Sequence, residues 1–318
     1  MTKVAVFGLG GTIAMTKDEH GAAVPALSAG ERVAAVPGLA ETGIELAVVD
    51  FRRLPGASLT FADLAELADA IATHDADGVV ITQGTDTIEE TAYQLDLTHA
   101  DDRPLVVTGA MRNPSLAGAD GPANLLAAVQ VAAAPTARGL GCVVVLADEV
   151  HAAQRVRKTH STSTATFQSP NGGPLGYVTE GEFRLLNRPA HRVVLPRATI
   201  SPKVALATVT LDDDGTLLAA AEHCDGLVVA AMGVGHVPQH LLPTLDHLAS
   251  RIPVVLASRT GAGSVLTATY GFPGSERDLV ARGLIPAGYL DPLKARILLR
   301  HLIATGADQA AIKAAFAS

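Results

Sequence analysis

Tryptophan is absent from this chain, and aromatic residues make up only 3% of its 318 residues. Any core must therefore be built from alanine, valine and leucine. Tracts of lysine and arginine are also missing, and the formal net charge of −8 argues against nucleic acid or an anionic membrane as a partner. No apolar run reaches the roughly 18 residues of a membrane span, and no secretory signal is visible, so we expect a cytoplasmic protein.

Cysteine is scarce, with only Cys142 and Cys224, each at or beside an apolar, strand-like run. We expect buried free thiols in a reducing compartment. The zinc-protease motif, the Gly-x-Ser-x-Gly motif of α/β-hydrolases and Cys-x-x-Cys pairs are all missing, so we expect no metal site. The eleven histidines are scattered, and we expect each to be solvated or held by an ordinary hydrogen bond.

The composition that remains is typical of a large folded core, with 48% hydrophobic and 18% charged residues. Short β-branched runs alternate with helical stretches rich in alanine and leucine, which predicts an α/β fold with largely parallel sheets. The strands predicted in the first half are Val4–Phe7, Leu46–Asp50, Gly78–Thr82, Pro104–Thr108 and Cys142–Leu146. The helices predicted there are Thr60–His74, with Thr60 and Asp63 as its N-terminal cap, and Gly121–Ala134.

A stretch with three prolines, several arginines and little periodicity divides the chain. We therefore predict two α/β domains: a larger N-terminal catalytic domain over residues 1–186 with a mixed, mostly parallel sheet, a linker over 187–203, and a smaller C-terminal domain over 204–318 with a parallel sheet. The elements predicted in the second half are strands Val204–Val209, Gly226–Ala231 and Ile252–Ala257, and helices near Pro238–Ser250, Ser275–Arg282, Asp291–Thr305 and Asp308–Ala317.

The first predicted strand runs into three glycines and then a hydroxyl, that of Thr12. Glycines there permit close backbone approach and can aim N–H groups at a substrate oxygen, and a hydroxyl beside them is a candidate nucleophile if a base lies within reach. A dinucleotide-binding fingerprint would need glycine at the position of Ile13, and a phosphate-binding loop would need a Gly-Lys pair, which the chain lacks. Both kinds of nucleotide site are therefore disfavoured. An ordinary turn at the strand end remains the alternative.

Two more polar turns follow predicted strands, one with Thr85 and Asp86 after Gly84, the other running from Gly109 to Arg112. Ligands of open α/β sheets collect at the carboxyl ends of strands, so three such turns favour a shared site. The alternative is that Thr85 or Asp86 caps the helix that begins near Ile88.

A hydroxyl nucleophile needs a base, and Lys158 is one candidate, next to Arg155 and Arg157. A lysine serves as a base only where its surroundings favour the neutral form, which burial or neighbouring cations can do. The alternative is a solvated basic turn.

Together these turns resemble the bacterial-type L-asparaginase and glutaminase-asparaginase family. The resemblance covers nearly the whole chain, more weakly in the C-terminal half. It is carried by Gly10–Ala14, Ile81–Tyr93, Thr108–Arg112, Asp120–Leu125, Lys158–Thr159, Ala165–Asn171, Gly173–Tyr177, Gly226–Val229, Gly233–Gly235, Pro253–Leu256 and Ser258–Arg259.

The resemblance implies an amidohydrolase that converts L-asparagine to L-aspartate and ammonia through a threonine acyl-enzyme, with lesser activity on glutamine and without a cofactor or metal. It also implies a homodimer or homotetramer whose active site is shared between neighbouring subunits. The residues that it implies for catalysis are Thr12, Thr85, Asp86 and Lys158. Those that it implies for substrate binding are Gly11, Ser58, Gly84, Thr85, Asp86 and Ala110, with Asp86 pairing with the substrate ammonium group. Which threonine performs each step stays open.

Three departures from the family pattern bear on activity. The loop after Thr12 has no tyrosine to orient the nucleophile, and Ala22 or Ala23 stands in its place. Ser58 matches the family's hydroxyl for the substrate carboxylate only with a shift of one or two residues. The intersubunit Asn and Glu of the secreted branch are replaced around 236–238 and 269–271. An alternative function is therefore a weak or inactive amino-acid-binding regulatory protein, and a further one is an amidase that supplies ammonia to a partner enzyme.

Overall fold

The computed structural model describes most of the chain. The described ranges are residues 1–11, 15–17, 23–25, 28–198 and 200–317. They divide into two compact units, Met1–Val194 and Leu195–Ser318. Within the described ranges, no helix has the length and apolarity of a membrane span. The domain limits predicted around residues 187–203 stay a prediction.

The first unit is built on a sheet of eight strands. The strands described in this unit are β1 (Lys3–Gly8), β2 (Met15–Lys17), β3 (Ala23–Pro25), β4 (Glu45–Asp50), β5 (Gly78–Thr82), β6 (Leu105–Thr108), β7 (Cys142–Leu146), β8 (Glu149–Ala152), β9 (Arg157–Lys158), β10 (Phe167–Gln168), β11 (Gly176–Thr179) and β12 (Glu182–Leu185). The large sheet has the order β12-β11-β8-β7-β6-β5-β1-β4, and β2-β3 and β9-β10 form separate pairs. The adjacent strands β4, β1, β5, β6 and β7 pair in parallel. The pairs β7-β8, β8-β11 and β11-β12 are antiparallel.

The parallel strands form where the sequence has continuous apolar runs. All residues of β5, β6 and β7 are buried, as expected for strands covered on both faces. The strands predicted over Gly78–Thr82 and Cys142–Leu146 are confirmed with those bounds, and those near Val4, Leu46 and Pro104 are confirmed with shifts of one residue at their ends.

Helices cover both faces of this sheet. They are α1 (Ala29–Ala34), α2 (Phe61–Thr73), α3 (Ile88–Asp96) and α4 (Gly121–Ala133). The apolar side of α4 packs with Val80, Val106 and Val143 in one core cluster, and α3 contacts β6 and β7 from outside that cluster. Because strand side chains alternate between faces, α3 and α4 lie on opposite sides of the sheet.

Helix α2 begins and ends with side-chain contacts. Thr60 Oγ1 accepts a hydrogen bond from Asp63 N, and the Asp63 carboxylate accepts one from Thr60 N, so the predicted cap is a complete capping box. The Thr60 hydroxyl also donates to the Asp63 carboxylate, and this hydrogen bond, with that from Thr60 N, lowers the pKa of Asp63. At the other end, the Arg103 guanidinium donates to the carbonyl oxygens of Ile71 and His74. Side chains thus make hydrogen bonds to the backbone at both ends of the helix.

The two cysteines differ in burial. Cys142 is a buried free thiol, as predicted, and burial raises its pKa. Its backbone N–H donates to Asp96, whose carboxylate also lies 2.9 Å from Arg192 Nη2; burial still raises the pKa of Asp96. Cys224 is free but only half-buried, so the prediction of burial is wrong there, because this residue ends a short 3₁₀ helix before strand Gly226–Ala231 begins.

The second unit has a parallel sheet of four strands. They are β13 (Val204–Thr208), β14 (Gly226–Ala231), β15 (Val254–Ser258) and β16 (Ile285–Pro286), in the order β13-β14-β15-β16. Its helices are α5 (Thr216–Ala219), α6 (Leu242–Ala249), α7 (Glu276–Ala281), α8 (Pro292–Ala304) and α9 (Gln309–Phe316). Helix α8 contacts β13, β14 and β15, while leucines of α5, α6 and α7 form a core cluster with β14 and β15. The predicted fold class, two α/β units with a mixed larger sheet and a parallel smaller one, is confirmed.

Candidate active site

Three turns meet at the carboxyl ends of the adjacent strands β4, β1 and β5. Gly11 follows β1 with φ of +88°, and a Cβ at this position would overlap the backbone of Gly84. A Cβ on Gly84 would in turn stand 3.0 Å from the backbone N of Gly56. Glycine is therefore required at Gly11 both by the backbone angle and by the close approach. Thr12, the next residue in the sequence, lies outside the described residues, as does Ala22.

The turn after β5 presents Thr85 and Asp86. It is a 3₁₀ turn over Thr85–Thr87, and neither it nor α3 has a side-chain cap, so the interpretation of Thr85 or Asp86 as a helix cap is wrong. Only 6% of the surface of Thr85 is exposed, whereas Asp86 is mostly exposed. A buried hydroxyl and an exposed carboxylate thus stand side by side.

Lys158 reaches this turn from a distant part of the sequence. It ends β9, and its side chain is only 16% exposed. Its Nζ donates hydrogen bonds to Thr85 Oγ1 at 3.0 Å and to Asp86 Oδ1 at 3.1 Å. The interpretation of Lys158 as part of a solvated turn is therefore wrong. Arg155, expected to favour the neutral form of Lys158, instead donates a hydrogen bond to Asn187 Oδ1.

Glu89, which was not among the predicted site residues, anchors the backbone of Lys158. Its Oε1 accepts a hydrogen bond of 3.2 Å from Lys158 N, and the residue is 6% exposed. Glu89 lies in the first turn of α3, where a carboxylate is commonly explained by the helix dipole. The sequence carried no signal that distinguishes Glu89 from an ordinary residue of a helix start; its deep burial is visible only in the structure.

The two remaining predicted binding residues lie on turns after β4 and β6, the strands on either side of the adjacent pair β1 and β5. Ser58 is exposed at the end of the 3₁₀ turn that follows β4. Ala110 is buried in the turn after β6. Asp120 holds that turn by accepting hydrogen bonds from the backbone of Met111 and Arg112. The two turns thus lie at the same end of the sheet as Thr85, the end formed by the carboxyl termini of the parallel strands.

His151 supports the strand pair β9-β10 from the large sheet. It is fully buried on β8, and its Nδ1 lies 2.9 Å from Ser169 Oγ, just beyond β10. Its Nε2 lies 3.2 Å from Glu149 Oε2. Burial lowers the pKa of His151 to about 4 and raises that of Glu149, the reverse of what an ion pair does, so the imidazole is neutral at neutral pH.

We expect this neutral imidazole to make stability depend on pH. Since the pKa of His151 falls from 6.5 in the unfolded chain to about 4 in the folded one, its contribution is complete above pH 6.5 and is lost as the pH falls toward 4. The full effect is about 3 kcal/mol. On acidification, the melting temperature of the wild type should therefore fall further than that of His151→Asn, a variant that keeps a polar atom near Ser169. Parallel curves for the two proteins would contradict this.

In the second unit, the segments 236–238 and 269–271 meet at a buried carboxylate. Glu276 Oε1 accepts a hydrogen bond of 2.7 Å from Tyr270 N, and its Oε2 lies 3.2 Å from His236 Nε2. Burial alone would raise the pKa of Glu276, but these hydrogen bonds lower it. Both segments predicted to replace the family's intersubunit residues are thus tied to one carboxylate within this unit.

A buried hydroxyl is hydrogen-bonded to a lysine among glycine turns at the carboxyl ends of parallel strands. This arrangement is suited to enzymes that use a hydroxyl nucleophile. Comparison with known proteins agrees with this class. The model of the asparaginase N-terminal domain matches residues 3–191, and that of the glutaminase/asparaginase C-terminal domain matches residues 203–316. The chain belongs to the bacterial-type L-asparaginase family.

Relatives match over nearly the full length. The L-asparaginase of Bacillus licheniformis is 35% identical over 95% of this chain and 96% of its own. A probable L-asparaginase of Deinococcus radiodurans is 36% identical over 99% and 97%. The crystal structure of a probable cytoplasmic L-asparaginase from Campylobacter jejuni superposes with a TM-score of 0.89 at 33% identity, covering 100% of both chains. The predicted family and enzyme class, an asparaginase-type hydrolase, are confirmed.

Proposed function

We propose that this protein hydrolyses L-asparagine to L-aspartate and ammonia through a threonine acyl-enzyme, with lesser activity on L-glutamine. The observation that carries the proposal is the hydrogen bond of 3.0 Å between Lys158 Nζ and the buried Thr85 hydroxyl. In the sequence, Thr12 directly follows Gly11, and Gly11 packs on Gly84. The relatives named as L-asparaginases support the substrate.

The reaction needs two displacements at the side-chain amide carbon. A threonine Oγ attacks this carbon while its proton passes to a base, for which the neutral form of Lys158 is the candidate. The tetrahedral intermediate collapses, the C–N bond breaks, and the nitrogen leaves as ammonia after receiving a proton. Water then attacks the acyl ester, the ester C–O bond breaks, and aspartate and the free hydroxyl are restored. Every atom of substrate and water is accounted for without a cofactor.

Recognition of a free amino acid follows from the charges around the pair. Asp86 is an exposed carboxylate beside Thr85, suited to bind the substrate α-ammonium group. Ser58 supplies a hydroxyl for the α-carboxylate. Backbone N–H groups near Gly11 and Gly84, with Ala110 on the next turn, would stabilise the oxyanion, and loss of one such donor typically costs about 10²–10³ in rate.

We also propose a cytoplasmic homo-oligomer, a dimer or a dimer of dimers, with a catalytic domain over residues 1–186 and a C-terminal domain over residues 204–318. The relative from Campylobacter jejuni, a probable cytoplasmic enzyme that covers the whole chain, supports the location. The segments held by Glu276 are the candidates for the surface between copies. Sedimentation velocity of the purified protein tests the assembly, and a monomer at all concentrations would refute it.

The experiment that tests the function is ammonia release from L-asparagine, L-glutamine and D-asparagine, measured side by side. We expect L-asparagine to be the best substrate and L-glutamine a slower one. The proposal fails if aspartate stabilises the protein in thermal melts while none of the three amides yields ammonia.

A further inference from the structure

A chain of two hydrogen bonds joins the turn after β5 to the turn after β4 in the candidate site. Gln83 Nε2 donates to Thr87 Oγ1 at 3.3 Å, and Thr87 Oγ1 donates to the carbonyl oxygen of Gly56 at 3.0 Å. The donor and the final acceptor belong to turns that follow different strands, β5 and β4. We call this chain the Thr87 link.

The direction of the Thr87 link is set by its first member. Gln83 is fully buried, and its Nε2 also donates to the Gly84 carbonyl oxygen at 3.3 Å. Since a hydroxyl has one proton, a hydroxyl that accepts from Gln83 is left to donate toward Gly56. The Thr87 hydroxyl is thereby committed to a structural contact, in contrast to that of Thr85.

The Thr87 link joins the two ends of the proposed substrate site. One end is the turn Gly56–Ser58, which carries the hydroxyl proposed for the substrate carboxylate. The other is the turn Thr85–Thr87, which carries the hydroxyl that Lys158 contacts. In the sheet, β1 lies between β4 and β5, so the two turns meet across its end. The close contact between Gly56 and Gly84 sets how near they come, and the Thr87 link holds them there.

We propose that Thr87 is a specificity-determining positioning residue: it sets the distance between Ser58, proposed to bind the substrate carboxylate, and the Thr85 hydroxyl, proposed to act on the amide. This inference rests on the proposed function. A fixed distance selects a substrate whose amide stands one methylene from the α-carbon, and disfavours glutamine, which has two. A loosened turn accepts both lengths and holds neither well.

The test replaces Thr87 with valine, which keeps the branched shape and removes the hydroxyl, and with serine, which keeps the hydroxyl. For Thr87→Val we expect KM for L-asparagine to rise about 10-fold, the equivalent of one lost hydrogen bond, with a smaller change in kcat. The ratio of kcat/KM for asparagine over glutamine should fall. Thr87→Ser should restore both values. Thr98→Val, which removes a hydroxyl that donates to Leu95 O just beyond the same helix, is the matched control and should change neither.

Hydrogen exchange of the segment 55–59 supplies a readout that does not depend on turnover. There, Ser58 N donates to Pro55 O and Leu59 N to Gly56 O, and we expect Thr87→Val to accelerate exchange of these amides. Unchanged KM and an unchanged asparagine-to-glutamine ratio overturn the proposal, even if the melting temperature falls. If the wild type releases no ammonia, the proposed function fails by itself, and unchanged exchange over 55–59 then overturns the Thr87 link.

Discussion

Thr85→Ala is expected to slow ammonia release from L-asparagine by about 10³-fold or more, because it removes the hydroxyl that Lys158 contacts at the buried sheet edge. The protein should still fold, with a melting temperature lower by a few degrees, since the change removes one buried hydroxyl and one buried methyl group. The measurement is steady-state kinetics with purified protein, alongside circular dichroism to confirm the fold.

Two companion variants make this result specific. Thr85→Ser keeps a hydroxyl and should retain far more activity than Thr85→Ala. Thr12→Ala should be as damaging as Thr85→Ala, because both threonines are proposed to act on one carboxamide. A Thr12→Ala protein that hydrolyses asparagine at the wild-type rate would refute the assignment of the site.

Lys158→Met is expected to lower kcat by about 10²–10⁴-fold, the usual contribution of a positioned acid or base. Methionine fills most of the same space but has no group to exchange a proton with the Thr85 hydroxyl. Asp86, which would still bind the substrate ammonium, should keep KM within a few-fold of the wild type. The measurement is kcat and KM for L-asparagine from progress curves of ammonia release.

Lys158→Arg separates a base from a mere positive charge. Arginine keeps the cation beside Asp86 but does not lose its proton in proteins, so this variant should be nearly as inactive as Lys158→Met. A Lys158→Arg protein with wild-type kcat would show that only the charge matters. Lys313→Met, on the exposed side of helix α9, is the control for loss of a lysine and should leave kcat unchanged.

The sequence was most informative where local chemistry decides the structure. The runs that became β5 and β7 are apolar throughout, and the capping box of Thr60 and Asp63 lies within four residues. The turn at Gly84 was likewise visible as a glycine that ends a strand. Such features depend on neighbours in the sequence, so their pattern survives without knowledge of the fold.

Contacts between distant parts of the chain could not be derived in this way. The pairing of Lys158 with Thr85 spans 73 residues and depends on β9 and β10, strands of only two residues each. The residues alone made Lys158 one candidate base, and only the resemblance of the chain to a family assigned it to the same site as Thr85. The antiparallel strands β8, β11 and β12 have mixed polar patterns and were not predicted. Glu89 and Thr87 resembled ordinary helix-start residues, because nothing nearby in the sequence marks their tertiary partners.

The most direct test of the central claim is mass spectrometry of the enzyme quenched in acid during turnover of L-asparagine. If a threonine hydroxyl forms the acyl-enzyme, a digest will contain a peptide heavier by one aspartyl group, mapped to Thr12 or Thr85, and this adduct will disappear after a chase without substrate. An adduct mapped to any other residue, or none at all under conditions where deacylation limits the rate, would contradict the account.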